Sequence, residues 1–176
     1  MRRTTLCKEV DFNRTWNEYV KGFGAIHGEY WVGLENVFYI LQTFPTADLL
    51  NIILKGGYTP VSQCYYSGFQ ISNGSNNYTV SIASFSNGVA PSGDSLTNGI
   101  YSINGRPFST YDRDHTSHGC PGRFNGGWWY LDDPVCSRAN IFGRRTGDTF
   151  ESTCHWQDNL GLETDFSWIE MVLKRW

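Results

Sequence analysis

The sequence predicts an α+β domain, with a central antiparallel sheet and short helices joined to a long loop-rich region. Three observations point there. Short apolar runs with strand-like patterning occur in the first half of the chain and again at its C-terminal end, as half-buried strands require. One early stretch, DFNRTWNEYVKGFG, has helical spacing. Between residues 86 and 162 Gly, Ser, Asn, Asp and Pro dominate and periodicity fades. With 176 residues, the chain fits a single domain long enough to bury a core. Residues 1–85 and 163–176 form its sheet part, and residues 86–162 its loop part.

In the early helical stretch Asp11 is the expected N-cap. Phe12, Trp16 and Tyr19 share one face at i, i+4 and i+7, and Gly22 and Gly24 stop the helix. EYWVGLENVFYIL reads as a strand-like or mixed piece ending in a helical turn. LLNIILK reads as a buried strand closed by GGY. CYYSGFQIS and YTVSIASF read as strands joined by the turn NGSNN, an antiparallel hairpin with a glycosylatable tip. In FSWIEMVLKRW, Ile169, Met171 and Leu173 face one side, and Trp168, Glu170 and Val172 the other. This last strand is expected to return to the first sheet.

Composition removes several classes of function. Hydrophobic residues make up 40% and charged residues 18%, which argues against disorder. A net charge of -3 without a Lys/Arg run gives no footprint for nucleic acid. No apolar run approaches a membrane span. The start, MRRTTLCKEVDF, lacks the apolar stretch of a signal peptide. Asn13, Asn73 and Asn77 stand in N-x-S/T sequons, although each also reads as a polar turn or helix residue. Five cysteines leave at least one unpaired. A missing N-terminal portion would account for both the odd cysteine and the missing signal.

A loop region this long is usually functional or pinned by staples. Its densest stretch is STYDRDHTSHGCPGRFNGGWWY. Asp112 and Asp114 at alternate positions are able to converge on a hard cation, with the carbonyls of Thr116 and His118 and water completing a calcium shell. The plain alternative is a solvated turn. His115, His118, Cys120, Cys154 and His155 offer zinc ligands, but no C-x-x-C pair or metalloprotease helix accompanies them. Cys120 or Cys154 beside a histidine suggests a nucleophile, but no orienting group or oxyanion hole is marked. Trp128 and Trp129 lie between Cys120 and Cys136. One ring is able to enter the core while its neighbour shapes a surface, or both are core. A disulfide closing this loop would stabilise it by roughly 3 kcal/mol.

These blocks together resemble the fibrinogen C-terminal domain, as found in fibrinogen chains, ficolins, tachylectins, angiopoietins and tenascins. The resemblance runs through RR at 2–3, VDFNRTWNEYVKGFG, GEYWVGLENVFYIL, GDSLTNG, RPFSTYDRD, GGWWY and WIEMVLK, in the family's order. It implies a secreted recognition module, not an enzyme. The family's first subdomain would precede Arg2, so the chain looks N-terminally shortened and is expected to expose apolar surface on its sheet.

The resemblance also implies calcium at Asp112, Asp114, Thr116 and His118, counted back from Cys120. Counting forward from FST instead gives Asp114 the first ligand place and Thr116 the second, a register that loses one carboxylate. It implies a Cys120–Cys136 disulfide, and a ligand pocket that maps onto Phe124, Cys136, Ser137, Asn140 and Trp156. Ser137 stands where the sugar-binding members have His, in a Cys-His peptide that is often cis, and Phe142 replaces an Asn. Cys7, Cys64 and Cys154 gain no partner from the resemblance. The expected function is calcium-dependent, lectin-like binding of acetylated or related glycans and glycoproteins in innate defence. The alternative is a protein-interaction module of the fibrinogen-assembly or receptor-ligand kind, and a third reading is a shortened product without binding. Oligomerisation would come from segments outside this chain.

Overall fold

The apolar run LLNIILK becomes β4 (Leu49–Gly56), and its composition follows from its place between two long neighbours in a seven-stranded sheet. The structure is a computed structural model that describes residues 1–6, 8–56, 61–88, 90, 93–158, 162–164 and 166–175. The other strands of this sheet are β1 (Arg2–Thr4), β2 (Phe23–Gly24), β3 (Tyr30–Trp31), β5 (Ser62–Ser67), β8 (Ser84–Asn87) and β12 (Phe166–Lys174), in the order β2-β3-β1-β12-β4-β5-β8. Every pairing is antiparallel. The C-terminal strand does return to the first sheet. β12 lies between β1 and β4, with Ile169 opposite Leu54 and Met171 opposite Ile52. Ile169 and Met171 are buried, as the alternation predicts.

The first helix, α1 (Trp16–Lys21), starts later than expected. Its N-cap is Thr15, not Asp11. Thr15 and Glu18 form a reciprocal capping box, with Glu18 N–H donating to Thr15 Oγ1 and Thr15 N–H to Glu18 Oε2. Asp11 instead closes a tight turn by accepting from Asn13 N–H. EYWVGLENVFYIL is mostly helix: β3 supplies two residues, and α2 (Leu34–Thr43) supplies ten, burying Leu34, Val37 and Leu41. The segments that end α1 and begin α2 touch at their backbones. A Cβ on Gly22 would lie 2.8 Å from the Trp31 carbonyl oxygen, and one on Gly33 would lie 2.8 Å from that of Val20. The expected hairpin is present as β6 (Gln70–Ile71) and β7 (Val80–Ser81) around a 3-10 turn at Gly74–Asn76.

The loop part carries α3 (Cys120–Phe124) and a second sheet of β9 (Ala139–Asn140), β10 (His155–Gln157) and β11 (Leu162–Glu163), in the order β11-β10-β9. Aromatic rings join the two parts. Trp128 and Trp129 are each 1% exposed, so both are core and neither shapes a surface. Phe142 sits at the centre of this cluster, with ring centroids 5.1 Å from Trp128, 5.2 Å from Trp31 and 5.4 Å from Phe12. Rings at these separations add to their area burial.

Candidate functional site

The loop after Phe108 is tied down before it turns outward. Ser109 and Trp128 exchange backbone bonds of 2.9 and 3.0 Å, and Thr110 and Arg113 close a tight turn. Asp112 lies on that turn and is exposed. Its Oδ1 accepts from Trp16 N–H at 2.9 Å and from the Thr110 hydroxyl at 2.7 Å, which fixes the loop against the start of α1. Arg113 lies over the Trp16 ring at 4.1 Å and donates to Asn77 Oδ1. Asp114, also exposed, accepts at Oδ1 from both the N–H and the hydroxyl of Thr116.

These bonds all use Oδ1. Among the described residues no hydrogen bond uses Oδ2 of Asp112 or Asp114, or the carbonyls of Thr116 and His118. The chemistry of this donor set, hard oxygens on one stapled loop, fits a calcium ion. Among the described residues no three His, Cys, Asp or Glu side chains gather at one point, so carbonyls and water would have to complete such a shell. Asp132, which sequence reading passed over, accepts from Ser117 N–H at 2.6 Å between the two carbonyl donors. That N–H holds its carboxyl below the usual range.

Cys120 and Cys136 are bonded to each other, with Cα atoms 5.6 Å apart. Cys120 is therefore unavailable to zinc or as a nucleophile. Cys154 is buried, and burial pushes its thiol up, away from the thiolate that nucleophilic chemistry needs. Arg123, on α3, binds the bridged loop to the next one. It donates to Pro134 O at 3.0 Å and forms a two-pronged pair with Glu151. Asp133 Oδ1 accepts from Val135 and Cys136 N–H, bringing Cys136 into the left-handed region at φ 61.

The five expected pocket residues lie in one neighbourhood, and all five are buried. The Phe124 ring packs on Tyr130 at 5.4 Å and on His155 at 5.8 Å. Asn140 donates to the carbonyls of Phe124 and Glu151, both at 2.7 Å. Ser137 turns its hydroxyl back to Ala139 O. Trp156 stands in β10 beside Ala139. The polar groups are thus spent on the fold. No peptide among the described residues is cis.

What faces outward here was not legible as a site. Phe150, 46% exposed, stacks at 4.3 Å on buried His155. Burial lowers the His155 pKa, while bonds to the Thr153 and Phe150 backbone oppose the shift. Of the sequon asparagines, Asn73 is exposed at the hairpin tip, whereas Asn13 and Asn77 are half-buried. Cys64 is buried in β5, and Cys7 lies outside the described residues.

A stapled, outward-facing loop beside packed rings, carried on an antiparallel sheet, has the layout of a binding module. Residues 3–175 match the family described as fibrinogen beta and gamma chains, C-terminal globular domain, and the chain belongs to that family. It is 32% identical over 168 residues to tenascin-R of Mus musculus, covering 94% of this chain and 11% of the relative. It is 32% identical over 172 residues to ficolin-3 of Homo sapiens, covering 94% of this chain and 53% of the relative. The chain thus spans a small part of the first and about half of the second. Among solved structures, the fibrinogen-like globe domain of human ANGPTL6 superposes with a TM-score of 0.83 at 28% identity, covering 99% of this chain and 76% of that one. Fibrinogen-like domains are non-catalytic recognition modules, and this chain is one of them.

Proposed function

We propose that the chain is an extracellular, lectin-like module in which calcium bound at Asp112, Asp114, Thr116 and His118 orders the loop that presents the ligand surface. The observation that carries this is the set of unclaimed oxygens on residues 112–118, held in place by the Trp16 N–H and the disulfide. Ficolin-3 and ryncolin-4 among the relatives support the glycan-binding branch. Calcium touches no ligand in this reading; it preorganises the surface. The ligands are acetylated or related glycans and glycoproteins.

A second reading, recognition of a protein, draws support from a different observation. Asn140 and Ser137 are buried and satisfied by backbone, which leaves few polar groups for a sugar. Tenascin-R and ANGPTL6 match the chain alongside ficolin-3. Binding to acetylated and non-acetylated sugar surfaces, with calcium and then with chelator, separates the two. Chelator-sensitive capture on acetylated sugar is expected. A folded sample that binds neither surface would move the assignment to a protein ligand.

A further inference from the structure

The free polar groups that the expected pocket lacks stand at another cavity. Residues 9–12 and 142–144 enclose about 230 Å³ beside the end of α3. Asp11 and Arg144 on its walls are exposed, so the space opens to solvent. Phe12 and Phe142 are buried and form an apolar floor, and Val10 is half-buried. Arg3 also lines the cavity, but its guanidinium is already spent: it donates to Gly143 O and pairs with Glu9. Three other side chains are not spent. Among the described residues no hydrogen bond or ion pair uses the Arg144 guanidinium or the Asn125 side-chain amide, and Asp11 accepts only at Oδ1, from Asn13 N–H. Asn125 is fixed as the C-cap of α3, with φ 56 and its backbone N–H on Pro121 O.

Asp11 and Arg144 thus carry opposite charges on one cavity without pairing to each other. Asp11 accepts only, Arg144 donates only, and Asn125 does both. An anion in this space would meet Asp11, and a cation would meet Arg144. A hydroxyl gives to the one and accepts from the other. A zwitterion would satisfy the two charges but leave the Asn125 amide unused. We propose that this cavity is a second glycan subsite, which takes one neutral hexose ring without calcium. Neighbouring hydroxyls donate to Asp11 and Asn125 and accept from Arg144, while the C–H face of the ring rests on Val10 above the two phenylalanines. A few placed polar groups over an apolar floor are the usual means of orienting a small ligand. The inference extends the glycan reading but uses none of the calcium ligands, so the two fail separately.

The test uses the whole chain with chelator present and the methyl glycosides of glucose, galactose and mannose, none of them acetylated. Saturation transfer from protein methyl protons to the sugar, read by NMR, should appear for at least one glycoside and saturate at millimolar sugar. Arg144→Ala removes an exposed side chain without a partner, and Asn125→Gly suits the positive φ, so both variants should fold as the parent does. Each should weaken the sugar about tenfold. Asp112→Asn should leave this binding unchanged, and the two cavity variants should match the parent in capture on acetylated surfaces with calcium. No transfer to any of the three glycosides, or transfer that survives both cavity variants, would overturn the proposal. So would binding of taurine that is lost in Arg144→Ala but kept in Asn125→Gly, which would give the cavity to a zwitterion.

Discussion

Replacing Cys120 and Cys136 together by Ser tests how much the staple matters to the loop it closes. The two residues are 16 apart in sequence. A bridge across a loop of that size removes unfolded-state entropy worth about 3 kcal/mol. The native loop keeps other ties: Leu131 N–H donates to Cys136 O at 2.7 Å, Asp133 caps Val135 and Cys136, and Arg123 reaches Pro134. These hold the folded form in place, but they do not restrict the unfolded chain, so the full entropic loss should appear. With a urea dependence of about 2 kcal/mol per molar, the midpoint should fall by about 1.5 M. Urea titration of the double variant beside the parent measures this directly. A loss under about 1 kcal/mol would refute the reasoning and assign the loop's stability to the Arg123 and Asp133 bonds. Calcium titration of the same variant gives a second reading. Weaker calcium binding with Asp112 and Asp114 intact is expected, because the bridge anchors the end of their loop.

Three more outcomes follow from named groups. Asp112→Asn and Asp114→Asn each keep an oxygen for the bonds from Trp16, Thr110 and Thr116, so the fold should persist while calcium affinity, read by calorimetry, falls about tenfold or more; unchanged affinity in both would remove the calcium site. Glu29 is buried and accepts from the N–H groups of Thr4 and Val10 and from Arg145, beside buried Arg3; Glu29→Gln removes the buried carboxylate that faces both arginines and should cost about 3 kcal/mol in denaturant titration, and a loss near zero would mean the charges are not paired this way. Burial depresses the Met1 amine, to about 6, and also His155 and His115. The unfolded chain therefore binds more protons as pH falls, through the range from 8 to about 6 for the amine and below the ordinary histidine value of about 6.5 for the rings. The melting temperature should accordingly drop from about pH 8 to about pH 5.5, above the range of the carboxylates, and a rise over that window would sink the assignment.

Sheet strands were legible where burial alternates or runs continuously, as in β4, β5 and β12. The short strand β1 was not, because nothing in RRT marks a strand; its state comes from pairing with Glu170, Ile169 and Trp168. The helix start was misplaced because Asp11 is a good cap by residue type, while the Thr15–Glu18 box three residues apart is the stronger signal. The Cys120–Cys136 bridge was readable through the order of motifs. The network of Arg3, Glu29 and Arg145 was not, since it joins positions 26 and 116 residues apart that acquire proximity through the sheet. Likewise the burial of Trp128 and Trp129 depended on what covers them, which periodicity does not encode.

Phe142 shows why motif survival and site survival differ. Asn140 and Gly143, the polar and small members of its segment, are kept for reasons internal to the fold. Asn140 bridges the carbonyls of Phe124 and Glu151, and a Cβ on Gly143 would come within 2.5 Å of the Asn140 amide. Both therefore hold the 124–151 region together whatever the chain binds. Phe142 itself turns inward, stacked on Tyr19 at 5.8 Å, where it adds apolar area to the core. A ring at that position stabilises the junction of the two sheets but offers nothing polar to a ligand. Under the proposed function the recognition surface is expected outward of that pocket, on the exposed residues of the 112–118 loop and the rim at Phe150. Phe150→Ala should weaken ligand capture while leaving the core rings, and with them the melting temperature, nearly unchanged; loss of stability without loss of capture would place the surface elsewhere.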